Sequence, residues 1–121
     1  MKILIVDDEE PLLNLYTILI TRDIDCEVVT AKNGEEAVEK YKEHNEKPDI
    51  VLMDYWMPVK DGVQATREIL EFDSEAVIVF MSADDKKEKE ALDSGAVSFI
   101  KKPFNPPDLL QLIEGLSDII G

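Results

Sequence analysis

Short apolar runs alternate with stretches of helical periodicity five times along this chain, and four of the runs stop at an acid, a hydroxyl or a lysine. Lys2–Val6 stops at Asp7, Asp49–Met53 at Asp54, Ala76–Met81 at Ser82, and Val97–Ile100 at Lys101-Lys102-Pro103. The remaining run is Glu27–Ala31. Runs of this length that are apolar on both faces read as buried parallel strands, and parallel strands need crossover helices between them. The intervening segments supply these. Pro11–Thr21 carries Leu12, Leu15, Tyr16 and Leu19 at helical spacing, and Asn33-Gly34-Glu35-Glu36 resembles a capping box before Ala37, Val38 and Tyr41. Gly62–Phe72 and Asp85–Asp93 follow, the latter with Ala91 and Leu92 as nearly its only apolar residues and with Gly95 suited to its C′ position. Pro106-Pro107 opens a last helix whose expected inner side is Leu109, Leu112, Ile113, Leu116 and Ile120. The fold class is therefore α/β, a five-stranded parallel sheet sandwiched between helices.

Composition narrows the function. At 121 residues the chain has the size of one domain and can bury about two thirds of its unfolded surface. Its 13 Lys+Arg against 27 Asp+Glu give a net charge of −14, which argues against direct nucleic-acid contact. No apolar run approaches the ~20 residues of a membrane span, and MKILIVDDEE turns acidic too soon for a signal peptide. A lone cysteine, Cys26, cannot form an internal disulfide, so a reducing cytoplasm is expected.

In a doubly wound sheet, ligands bind beyond the carboxyl ends of the strands. That rule brings Asp7 and Asp8, Asp54, Ser82, Lys101 and Lys102 to one edge. Carboxylates ~5 Å apart at an effective dielectric of 20 repel by about 3 kcal/mol per pair, so three pairs approach about 10 kcal/mol, comparable with the stability of a small domain. Lys102 offsets part of this, and a cation or a proton must offset the rest. Oxygen-only donors favour a hard cation, and few carboxylates with open water positions suit magnesium.

With these residues in view, the sequence resembles the receiver domain of bacterial and archaeal response regulators along its whole length. The resemblance rests on ILIVDDEE, PDIVLMDYWMPVKDG, VFMSAD, SGA and FIKKPF in that order. It implies a flavodoxin-like doubly wound (βα)5 fold with strand order 2-1-3-4-5 and a phosphoacceptor at Asp54. It also implies a Mg2+ site made by Asp8 and Asp54 directly, Asp7 mainly through water, and the backbone carbonyl of Trp56. Lys102 would contact the phosphoryl group, Ser82 and Phe99 would form the switch pair, and Pro103 would follow a cis bond. The implied partners are a sensor histidine kinase or phosphotransfer protein and an output protein or effector domain, the latter meeting the surface made by the Asp85–Asp93 helix, strand five and the last helix. Residues 1–121 are expected to form a single receiver domain, and a stand-alone regulator.

Individual residues carry plainer expectations. Trp56 either packs in its loop or limits water access, Asp84 tunes phosphoryl lifetime, and Gly62 relieves backbone strain after Lys60 and Asp61. His44 is a solvated histidine, while Cys26 and Tyr41 pack. An aspartyl-phosphate phosphohydrolase would require Asp-x-Asp followed by Gly-Thr where Asp7-Asp8-Glu9-Glu10 stands. A flavin-phosphate loop would be repelled by four acids, and no P-loop motif is present. The alternative within the resembled family is a docking module that works without phosphorylation. Such modules usually lack an acid or the lysine, and this chain keeps them all.

Overall fold

The computed structural model describes residues 1–43, 46–55 and 60–120. In chain order the elements are β1 (Lys2–Val6), α1 (Glu10–Asp23), β2 (Glu27–Ala31), α2 (Gly34–Glu43), β3 (Ile50–Asp54), α3 (Gly62–Phe72), β4 (Ile78–Ser82), a 3-10 turn (Asp85–Lys87), α4 (Glu88–Asp93), β5 (Ser98–Lys101) and α5 (Pro106–Ile120). The five strands are parallel in the order β2-β1-β3-β4-β5. This is the doubly wound sheet expected.

Alternate residues of the strands divide the core in two. Leu4, Val6, Val51, Met53, Ile78 and Phe80 pack with α2, α3 and α4, while Ile3, Ile5, Ile50, Leu52, Val79 and Met81 pack with α1 and α5. β1, β3 and β4 are buried along their whole length, whereas β2 and β5 at the sheet edges are mostly half-buried.

Two of the helices, α2 and α3, start at polar caps. Asn33 Oδ1 accepts from the Glu36 N–H at 2.8 Å, and Asp61 Oδ1 accepts from Gln64 at 2.9 Å. α4 ends in a Schellman turn, with Gly95 N–H donating to the Leu92 carbonyl and Ala96 N–H to that of Ala91. Gly95 has φ +114°, the left-handed region that glycine adopts without penalty.

The structure corrects four details of the sequence reading. The inner residues of α1 are Leu13, Tyr16 and Ile20, while Leu15 is exposed. Ile120 is exposed as well, leaving Leu109 and Ile113 as the fully buried residues of α5. The Asp85–Asp93 helix is shorter, because its first three residues form the 3-10 turn. Gly62 is not needed for strain: a Cβ there would lie 2.5 Å from the Asp54 carbonyl oxygen and 2.8 Å from the Phe80 ring. It is a close-approach glycine that lets α3 begin against the end of β3.

Candidate functional site

Parallel register brings the strand ends level. Val6 pairs with Met53, Asp54 with Met81, and Ser82 with Lys101. Backbone bonds continue just past the strands. Asp7 N–H donates to the Ala31 carbonyl, Tyr55 N–H to that of Met81, and Lys102 N–H to that of Ser82. Asp7, Asp54, Ser82 and Lys102 are therefore held by sheet geometry.

Carboxylate oxygens of Asp7, Asp8 and Asp54 lie within 4.8 Å of one another. Asp7 and Asp54 are buried and Asp8 is exposed. Lys102 reaches into the cluster, its Nζ donating to Asp7 Oδ2 at 2.9 Å and to Asp54 Oδ1 at 3.2 Å. Asp7 Oδ1 accepts from the Glu9 N–H at 3.0 Å, so both oxygens of Asp7 have partners. These groups, with Ser82 and Ala83, line a cavity of about 370 Å3. Ser82 Oγ accepts from the Asp84 N–H at 3.1 Å and keeps its own proton as a donor. The Lys102–Pro103 peptide is cis.

The electrostatics follow from burial. Desolvation raises the Asp54 carboxyl to about 6; Lys102 pulls it back, and the charges of Asp7 and Asp8 push it up again. Burial alone would lower Lys102, but the hydrogen bond to Asp7 and the charges of Asp54 and Asp7 together raise it. The site thus gathers three acidic side chains around one lysine. Its donors are oxygens of three carboxylates, and one lysine cannot balance them. This set fits a hard divalent cation.

Not every candidate residue reaches the site. Lys101 is exposed and pairs with Asp85 at 3.6 Å, away from the acids. Phe99, partnered with Phe80 in the β4–β5 register, is half-buried against the core on the α4 side of the sheet. Asp84 caps the 3-10 turn by accepting from Lys86 N–H. Trp56 and His44 lie outside the described residues.

Two tyrosines at the site escape sequence reasoning. Tyr16 looks like any inward residue of α1, yet Lys102 Nζ lies 5.9 Å from its ring centroid. Tyr55 directly follows Asp54, and its hydroxyl donates to Glu90 Oε2 of α4 at 2.8 Å. Burial first, and this bond second, raise the Tyr55 hydroxyl to about 12, so it stays a donor. Lys87 lies over the same ring at 5.4 Å. Neither contact has a sequence signal, because each joins residues whose separation carries no periodicity.

The profile of the response regulator receiver domain matches residues 3–114. The chemotaxis protein CheY of Halobacterium salinarum is 39% identical over 121 residues, covering 98% of this chain and 96% of that one. A response regulator receiver domain protein from Clostridium thermocellum has the same fold, with a TM-score of 0.88 at 28% identity over 97% of this chain and 94% of that one. A chain of the CheX-CheY-BeF3-Mg2+ complex from Borrelia burgdorferi matches with a TM-score of 0.85 at 36% identity, over 97% of this chain and 89% of that one.

Proposed function

The chain belongs to the response regulator receiver domain family, and on that premise we propose that Asp54 accepts a phosphoryl group whose charge is read out on the flank formed by α4, β5 and α5. Members of the family are signalling regulators and not classical enzymes. The donor is a sensor histidine kinase or a phosphotransfer protein, and the signal passes to an output protein or effector domain. Residues 1–121 act as a single receiver domain in the cytoplasm. No described helix is long and apolar enough to cross a membrane.

One observation carries this reading: a buried carboxylate at a strand end, grouped with two other acids and bonded to a lysine at 3.2 Å. An oxygen of Asp54 attacks phosphorus while the bond from phosphorus to the donor's imidazole nitrogen breaks. The electron pair leaves on that nitrogen, and the product is an acyl phosphate. A carboxyl at about 6 is ionised at neutral pH, so no general base is required. Lys102 offers a cation where the phosphoryl charge arrives, and Ser82 donates to a phosphoryl oxygen.

Asp8 and Asp54 would hold a magnesium ion directly and Asp7 through water, with the Trp56 carbonyl as a further ligand. Both Asp7 oxygens already have partners, which supports its indirect role. When bound, the ion neutralises phosphoryl charge in flight. The beryllofluoride and magnesium in the Borrelia complex support both the acceptor and the metal. Asp54, Lys102 and Ser82 would also shape the later hydrolysis of the acyl phosphate, a step the domain assists for itself.

The switch proceeds through Ser82 and Phe99. As the Ser82 hydroxyl is drawn toward the phosphoryl group, space opens for Phe99 to turn inward from its half-buried position.

Incubation with acetyl phosphate and magnesium should add one phosphoryl group to the wild type and none to Asp54→Asn, as read by intact-mass spectrometry. Equal labelling of the two would remove Asp54 from the role. Absence of labelling in the wild type would favour the docking module that works without phosphorylation.

A further inference from the structure

We propose that Tyr16 is a positioning residue for Lys102, its ring forming the wall that keeps the ammonium over the acceptor carboxylate. The proposal rests on the roles given above to Asp54 and Lys102, and adds to them a residue that no motif marks.

Tyr16 is 5% exposed on the inner face of α1. Its ring lies 5.9 Å from Lys102 Nζ on one hand and 5.5 Å from the Phe104 ring, tilted by 32°, on the other. The aromatic is thereby fixed between α1 and the segment that carries the lysine. Lys102 is also where two cavities meet. The acid-lined cavity lies on one side, and an apolar groove of about 360 Å3 on the other, walled by Leu15, Tyr16, Leu19, Pro103 and Phe104. Lys102 lines both.

A lysine stem is long and its rotamers are many, so an ammonium in this position has a second place to go. It can follow the acids, or it can swing toward the groove and solvent. The Tyr16 side chain closes the second route, offering the ammonium the negative face of a π system and a hydroxyl that also interacts with it. A fourth carboxylate there would also attract the lysine, but it would repel an arriving phosphoryl group. An aromatic face attracts the cation without adding a net charge. The need is greatest during transfer, when the bond from Lys102 to Asp54 must be exchanged for one to the phosphoryl oxygens.

Phosphorylation by acetyl phosphate with magnesium tests the idea. Tyr16→Phe keeps the ring but not the hydroxyl and should lose clearly less than Tyr16→Leu, which should lose roughly three- to thirtyfold. In a Lys102→Ala background Tyr16→Leu should have no further effect, because the two residues act as a unit. Ring-fluorinated forms of Tyr16→Phe keep the shape but progressively weaken the negative face, and the rate should fall with each added fluorine. They carry the decision should Tyr16→Leu fail to fold. In metal-free protein, NMR should show Lys102 ε-methylene protons shifted by the ring current in wild type and Tyr16→Phe, and unshifted in Tyr16→Leu. A flat response to fluorination, an equal loss in the Lys102→Ala background, or an unshifted lysine in the wild type would each overturn the proposal. A wild type that takes up no phosphoryl group would instead overturn the acceptor role of Asp54, leaving the NMR comparison to judge Tyr16 alone.

Discussion

The acid-bearing edge and the α4–β5 flank lie next to each other on one sheet and are built in opposite ways. β1, β3 and β4 are buried from end to end, and the residues just past β1 and β3 are tied by backbone bonds to the neighbouring strand. In the flank, α4 has six residues of which Ala91 alone is buried, Leu92 is 44% exposed, and β5 ends the sheet half-buried. Beside Ala91, Ala96 and the half-buried Phe99, it is tied to the rest by Tyr55 to Glu90 and internally by Ser94 Oγ to the Ala91 carbonyl and Lys101 to Asp85. Chemistry that needs carboxylates and an ammonium placed within fractions of an ångström belongs on the first kind of structure. Elements that open locally at low cost belong to the second. Under the proposed switch, the contrast would let a rigid site act on a neighbour that moves.

The largest expected effect tests the acid edge in metal-free protein. Folding raises the Asp54 carboxyl from 3.8 to about 6, so the folded state binds the proton more tightly than the unfolded chain does. Its favourable contribution is complete below about pH 4 and lost as the pH rises through about 6, where burying the charge costs up to about 3 kcal/mol. Asp54→Asn removes that cost, and Lys102 keeps its bond to Asp7. Urea unfolding should find Asp54→Asn more stable than wild type by about 1–3 kcal/mol near pH 7, the gap closing toward about pH 4. A mutant that is less stable at neutral pH would mean that burying the Asp54 charge at this edge carries no net cost.

A smaller effect tests the flank. Tyr55→Phe leaves the ring against Phe80, 6.1 Å away, and removes the bond to Glu90. The global cost should be about 1 kcal/mol. Amide hydrogen exchange should quicken across residues 88–93 and stay unchanged in β1 and β3. Uniform loss of protection would show that α4 unfolds only with the whole domain, and the contrast would fall.

How far the sequence reveals this contrast depends on the kind of contact. The edge was legible because strand ends are marked in the chain itself: Asp7, Asp54, Ser82 and Lys102 each follow an apolar run, and parallel register does the rest. The thin anchoring of α4 was legible too, from the scarcity of apolar residues between Asp85 and Asp93. The inner face of α1 was not. In Pro11-Leu12-Leu13-Asn14-Leu15-Tyr16 apolar residues occupy both candidate faces, and only packing against β1 and α5 selects Leu13 over Leu15. Gly62 was recognised as special for the wrong reason, since close approach to Asp54 and Phe80 is a property of the packed helix and not of its own turn. Tyr16 and Tyr55 were invisible as site residues because aromatics at core spacing have the same pattern whether or not a lysine or a glutamate meets them.

The measurement that tests the central claim most directly is an NMR comparison with magnesium and beryllofluoride standing in for the phosphoryl group. In wild type, resonances should move at Asp7, Asp8, Asp54, Ser82 and Lys102, and also across residues 84–101 including Phe99. In Ser82→Ala the site resonances should still move, while the response of α4 and Phe99 should shrink, because the ligand can bias the flank only through a contact that differs between its two states. A flank that stays still in wild type, or that moves as far in Ser82→Ala, would contradict the coupling between the rigid edge and its movable neighbour.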